Sequence, residues 1–122
     1  MNLRLIREYL FERTKGYCDC CGLPMTIDDM AAHHRRLRKH GGLWKASNLL
    51  GAHHSCHTGS GGSVHLNVAM ALQLGWLVHS WQKPEQTPFL LHQVHWVQPH
   101  DDWTLEYLSE RYEGDVDAPA LG

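Results

Sequence analysis

Residues 18–57 read CDCCGLPMTIDDMAAHHRRLRKHGGLWKASNLLGAHHSCH, and this stretch decides the fold. It opens with Cys18 and Cys21 in C-x-x-C spacing. Two thiolates three residues apart on a tight turn can share one tetrahedral Zn²⁺. Gly22 suits that turn, because it permits positive φ. His53 and Cys56 repeat the spacing near the far end of the stretch. A zinc site of three cysteines and one histidine (Cys18, Cys21, His53 and Cys56) is therefore expected, with His54 as the alternative to His53. Cys20 is left as a thiol packed beside the site. The competing reading of His53 and His54 is an exposed polar turn. Four cysteines can also form two disulfides, but no export signal is visible, and in a reducing compartment such clusters more often hold metal.

Between the two pairs, residues 25–34 read as a strand ending in His33-His34, and residues 48–52 as a second short strand. Adjacent residues on a strand point to opposite faces. One of the two histidines can thus bind a metal while the other faces a substrate. Working outward, Leu3, Ile6 and Leu10 recur at helical spacing, which predicts a helix over 2–13 with Asn2 as its cap and Gly16 past its end. A second helix is expected over 63–74, capped by Ser63 and stopped at Gly75, with Val64, Val68, Ala71 and Leu72 on its apolar face. Residues 76–97 hold β-type material broken by Pro84 and Pro88. Trp76, Trp81 and Trp96 are expected to form the core of this β appendage, and His79, His92, His95 and His100 to be structural or surface groups. From Asp101 onward the chain carries seven of its thirteen acids. One or two helical turns are expected near Leu105–Leu108, and disorder after Glu113.

The whole chain has 122 residues, so one domain is expected over 1–100, with its core in 17–75 and an acidic tail over 101–122. A hydrophobic share of 43% and a charged share of 20% are ordinary for a folded domain. The net charge of −2 argues against a uniformly basic nucleic-acid coat. No apolar run reaches the ~20 residues of a membrane span. A cytoplasmic protein without membrane contact is the expectation, in the host cytoplasm if the source is viral.

His33-His34, Asn48 and His57 follow one another in an order that resembles the HNH endonuclease family. The likeness extends to Arg35, Gly41-Gly42, Asn48-Leu49-Leu50, Cys56-His57, Val64-His65 and Gly75-Trp76-Leu77-Val78, and it is to phage-type members. It covers about half the chain, from Cys18 to Leu77. The resemblance implies an α+β fold: a small ββα-metal (His-Me finger) domain, stabilised by zinc, with an N-terminal helix and a C-terminal β appendage. It also implies a metal-dependent endonuclease or nickase acting on double-stranded DNA, with phage packaging or mobile-element proteins as further partners. Carried over position by position, His34 is the general base that takes a proton from the attacking water. His33 and His57 are ligands of one catalytic divalent cation (Mg²⁺, Mn²⁺, Ni²⁺ or Zn²⁺). Asn48 orients the loop that carries the base, through side-chain hydrogen bonds to backbone. The glycine-rich stretch from Thr58 to Gly62 interrupts the helix that normally carries His57. His65 is then placed in the first turn of the next helix, as a third ligand or a replacement for His57.

Arg35, Arg36, Arg38, Lys39 and Lys45 are five of the eleven basic residues, and they lie within eleven positions. They are expected to contact DNA phosphates, which supply most sequence-independent affinity. Trp44 in the same loop is either a wedge at the groove or a core anchor. The second reading of the whole chain is a non-catalytic zinc-binding nucleic-acid module, which has no use for the His33-His34 pair or for Asn48.

Overall fold

The computed structural model describes residues 2–58 and 63–108. It shows a small mixed α+β domain with short helices and two small antiparallel sheets. Helix α1 spans Leu3–Thr14. Asn2 Oδ1 accepts the Leu5 N–H at 3.1 Å, which satisfies one of the open donors of the first turn. Lys15 caps its end in the left-handed region at φ 56°, and Gly16 follows past the end at φ 83°. Two arginines of α1 tie it to the next elements. Arg7 donates to the carbonyls of Ile27 and Met30, both at 2.8 Å. Arg13 donates to Ala46 O at 2.8 Å and Leu49 O at 2.5 Å.

Strands β1 (Met30–His34) and β2 (Leu49–His53) pair antiparallel, with Met30 opposite His53 and His34 opposite Leu49. The first strand is half the expected length. Thr26 draws the Asp29 N–H into a turn through both its carbonyl and its hydroxyl, so residues 25–29 do not extend. Asn48 likewise lies just before the second strand, in the 3-10 turn Ala46–Asn48. Helix α2 (His54–Thr58) follows β2 directly and carries His57.

The expected helix over 63–74 is shorter. Helix α3 covers Val68–Gln73. Ser63 does not cap it, and its hydroxyl is buried without a partner among the described residues. Residues 64 and 65 instead run beside α2, where Val64 N–H meets Cys56 O at 2.7 Å and His65 N–H meets His57 O at 3.2 Å. Those backbone bonds outweigh the helical periodicity, and Val68 is left largely exposed. Gly75 does end the segment, at φ 72°, where a Cβ would sit 2.1 Å from Pro88 O.

The second sheet runs β3 (Phe89–Leu91), β4 (His95–Pro99), β5 (Leu105–Tyr107). The helical turns expected near Leu105 are strand β5, paired with β4 from Val97↔Tyr107 to Pro99↔Leu105. Asp101 accepts the Ser47 N–H at 3.0 Å. Residues 101–108, read above as the start of a tail, are thus built into the fold. The rest of the proposed tail and the loop at 59–62 lie outside the described residues. Leu10, Met30, Leu49, Leu50, Leu74, Phe89 and Val97 form one core between the two sheets. Trp76 is in it, with Nε1 donating to Leu90 O at 2.9 Å, and Trp96 packs at its edge. Trp81 is not: it is 76% exposed, its ring stacked on His79 at 4.3 Å. Among the described residues no helix is long and apolar enough to cross a membrane.

Candidate metal centres

Two clusters of ligand-type side chains lie on either side of the β2–α2 junction. In the first, one atom each of Cys18, Cys21, His53 and Cys56 lies within 4.8 Å of the others. This set can hold a metal ion such as zinc, for which tetrahedral sulfur and nitrogen ligation is ordinary. The histidine is His53 rather than His54. Its Nε2 lies 2.9 Å from Pro24 O, and a carbonyl can only accept, so Nε2 carries the hydrogen. Nδ1 then keeps its lone pair, 3.4 Å from Cys21 Sγ. Such outer hydrogen bonds fix the tautomer and direction of a ligating histidine.

The thiols perturb one another. A hydrogen bond from Cys20 pulls Cys18 down to about 3. Burial, and the charges of Cys18 and Cys21, push Cys56 up to about 12. A dication reverses that repulsion and drives the thiols to thiolates. Cys20 is buried beside the cluster, with its own thiol raised well above the usual range by that same bond to Cys18. Asp19, between the cysteines, docks the knuckle on β2. Its N–H meets Gly51 O and its Oδ2 accepts the Gly51 N–H, both at 2.8 Å. Arg13 stands 3.6 Å from Oδ2, with both side chains buried. Neither the docking nor the ion pair has a sequence signal, since Asp19 reads as one acid among thirteen.

The second cluster is His33, His57 and His65, again with one nitrogen each within 4.8 Å. His33 is at the end of β1, His57 on α2, and His65 in the turn before α3. His57 and His65 are therefore neighbours, both beside His33. Their Nε2 atoms are 3.0 Å apart. His33 Nε2 donates to Trp76 O at 2.6 Å, which leaves Nδ1 with its lone pair, buried and without a partner among the described residues. Burial pulls His33 down to about 3. Burial and then His65 pull His57 down to about 4. Both are neutral imidazoles at neutral pH, the state that binds a cation. A buried, unpaired nitrogen beside two further imidazoles is a donor set that can hold a metal ion.

His34 lies on the other side of the strand. Its ring meets Trp44 edge-on at 4.3 Å, and Arg38 stacks on the same indole at 5.8 Å. Burial, then the Arg38 charge, lower its pKa. Asn48 clamps the loop between them. Oδ1 accepts the Arg36 N–H at 2.7 Å, and Nδ2 donates to Arg36 O at 3.2 Å and Leu43 O at 3.0 Å.

The basic stretch divides. Arg38, Lys39 and Lys45 are exposed and Arg36 is half-buried. Arg35 is fully buried and cannot contact DNA. Its guanidinium donates to the carbonyls of Gly75 (2.8 Å), Ser47 (3.0 Å), Pro84 (3.2 Å), Thr87 (2.5 Å) and Pro88 (3.1 Å). Those oxygens replace its water shell. Burial lowers its pKa to about 9, with Arg13 adding to the effect, and it stays charged at neutral pH. Comparison of the chain with protein-family models, curated proteins and solved structures finds no match.

Proposed function

We propose that the chain is a metal-dependent DNA endonuclease or nickase of the HNH type, in which β1, β2 and α2 form the ββα-metal unit. The observation that carries this reading is the His33–His57–His65 cluster on one face of the strand whose next residue, His34, faces the other way. A zinc knuckle alone requires neither feature. A divalent ion held by the three imidazoles supplies charge neutralisation at the scissile phosphate and at the leaving 3′ oxygen. His34 is the general base. It is neutral near pH 7 and accepts the proton of the attacking water. Trp44 limits the rotation of its ring. Asn48 holds the Arg36 backbone two residues further on, so the loop leaves the strand at a fixed angle. Arg38, Lys39 and Lys45 face the phosphate backbone of double-stranded DNA and contribute affinity without reading bases.

The test is a plasmid-nicking assay with Mg²⁺, Mn²⁺, Ni²⁺ and Zn²⁺ added in turn, each with a chelator control. His34→Ala is expected to lower the rate ~10²–10⁴-fold with DNA and ion binding kept. His57→Ala is expected to weaken binding of the added ion, read by calorimetry. Full cleavage by His34→Ala removes the mechanism. DNA binding without cleavage under every ion favours the non-catalytic zinc-binding module instead.

A further inference from the structure

Away from both clusters, three cationic side chains line one cavity. Its volume is about 180 Å³, and its wall includes Arg36, Gly41, Gly42, Lys45, Lys83 and Glu85. Pockets for whole small-molecule ligands run to ~300–1,000 Å³, so this one suits a single compact group. We propose that it seats a phosphodiester of the bound DNA other than the one being cut, with Lys83 and Arg36 as its principal contacts. The inference rests on the endonuclease reading for the identity of the ligand, and on the cavity alone for its charge.

The walls are rigid for stated reasons. Gly42 passes so close to the Arg36 carbonyl that a Cβ would lie 1.7 Å from that oxygen. Asn48 holds both backbone groups of Arg36. The Arg36 side chain is therefore anchored at its root, and its Nε is buried with no hydrogen-bond partner among the described residues. Lys83 also lines the cavity, just before the 3-10 turn Pro84–Gln86. That turn is pinned through Pro84 O, which accepts from Arg35 and from Gln98, both at 3.2 Å. The buried arginine thus sets the position of an exposed lysine. Among the described residues no carboxylate lies within ion-pair distance of Lys83. Lys45 also lies in the field of Asp101. Glu85 is the one carboxylate among the wall residues, against three cations. The balance favours an anion.

The cavity's place favours a strand phosphate over a free one. Arg36 follows His34 by two residues, so their Cα atoms lie no more than ~7 Å apart. A DNA strand advances ~3.4 Å along the helix axis per phosphate. A strand whose scissile phosphate is near His34 therefore brings another phosphate, one or two steps away, within reach of Arg36 and Lys83.

The experiment uses the full zinc-loaded chain without added ion, and two unrelated DNA duplexes over a salt series. Lys83→Ala is expected to weaken binding to both duplexes about tenfold. It should also make the slope of log K against log salt shallower by about 1. Glu85→Gln is expected to strengthen binding to both. Inorganic phosphate is expected to move the amide resonances of Gly41 and Gly42. Unchanged binding in both variants at every salt overturns the proposal. So does a phosphate response at Gly41 and Gly42 with DNA binding indifferent to Lys83, which marks a site for the free ion. If the wild type nicks plasmid while both variants bind unchanged, the cavity is refuted and the endonuclease stands. If binding depends on Lys83 but no ion supports nicking, the endonuclease is refuted and the cavity stands.

Discussion

Replacing Arg35 with methionine tests whether this residue belongs to the fold or to the DNA surface. The change keeps much of the stem and removes the guanidinium. Five carbonyl oxygens then lose a donor. Those of Thr87 and Pro88 are bonded at a partly buried position, where water can replace the donor. Those of Gly75, Ser47 and Pro84 are bonded in the interior, and of these only Pro84 O keeps another donor among the described residues, Gln98. Each buried acceptor left unsatisfied costs ~1–3 kcal/mol, which totals about 2–6 kcal/mol for the Gly75 and Ser47 carbonyls. Removing a buried charge returns part of its desolvation cost, which places the result near 3 kcal/mol. Domains of this kind have ~5–15 kcal/mol in all. Urea denaturation should therefore show a loss of about 3 kcal/mol, and the melting temperature should fall by about 10 °C. Arg36→Ala, one residue along, should cost much less stability than Arg35→Met, because no side-chain hydrogen bond of Arg36 among the described residues is lost, and should weaken DNA binding instead. An Arg35→Met protein as stable as wild type, with DNA affinity reduced as in Arg36→Ala, refutes the structural role.

Three further outcomes are expected. Cys18→Ser should lose its zinc, measured by metal analysis of the purified chain, and with it much of the folding free energy, since a structural zinc contributes directly to folding; a variant that keeps both its zinc and its stability overturns the ligand set. Asn48→Ala should cost about 1–3 kcal/mol, because the Arg36 and Leu43 carbonyls lose their donor, and should lower nicking less than His34→Ala does, because Asn48 orients and does not react. The zinc-loaded protein without an added divalent ion should lose stability as pH falls below about 6.5: unfolded His33 and His57 take up protons there, while the folded forms stay neutral down to about 3 and about 4. A denaturation free energy that is flat from pH 7 to pH 5, or that rises, contradicts their burial as neutral groups.

Much of the site was legible because local spacing encodes it. The paired x-x intervals at Cys18–Cys21 and His53–Cys56 reflect turns that close within a few residues, and the structure brings these four together. The Asn2 cap was readable for the same reason. What was not legible depends on distant partners. Arg35 reads as one more charge in a basic run, and only the carbonyls of residues 47, 75, 84, 87 and 88 reveal that it is interior. Residues 63–67 carry a helical pattern, yet backbone bonds to α2 hold Val64 and His65 in a turn. Leu105–Tyr107 is too short to declare a strand without its neighbour β4. Trp81 was assigned to a core by its residue type, and the tight turn that joins His79 to Gln82 places it outside.

Cys56 and His57 are consecutive residues of α2, yet they serve different clusters. One peptide unit therefore sets the distance between the two clusters of ligand-type side chains. Inserting or deleting a single residue here turns every following side chain by about 100° around the helix axis. A residue added or lost between His53 and Cys56 would displace Cys56 and His57 together, and with them both clusters. A redesign of either cluster therefore has to treat the other as part of the same component.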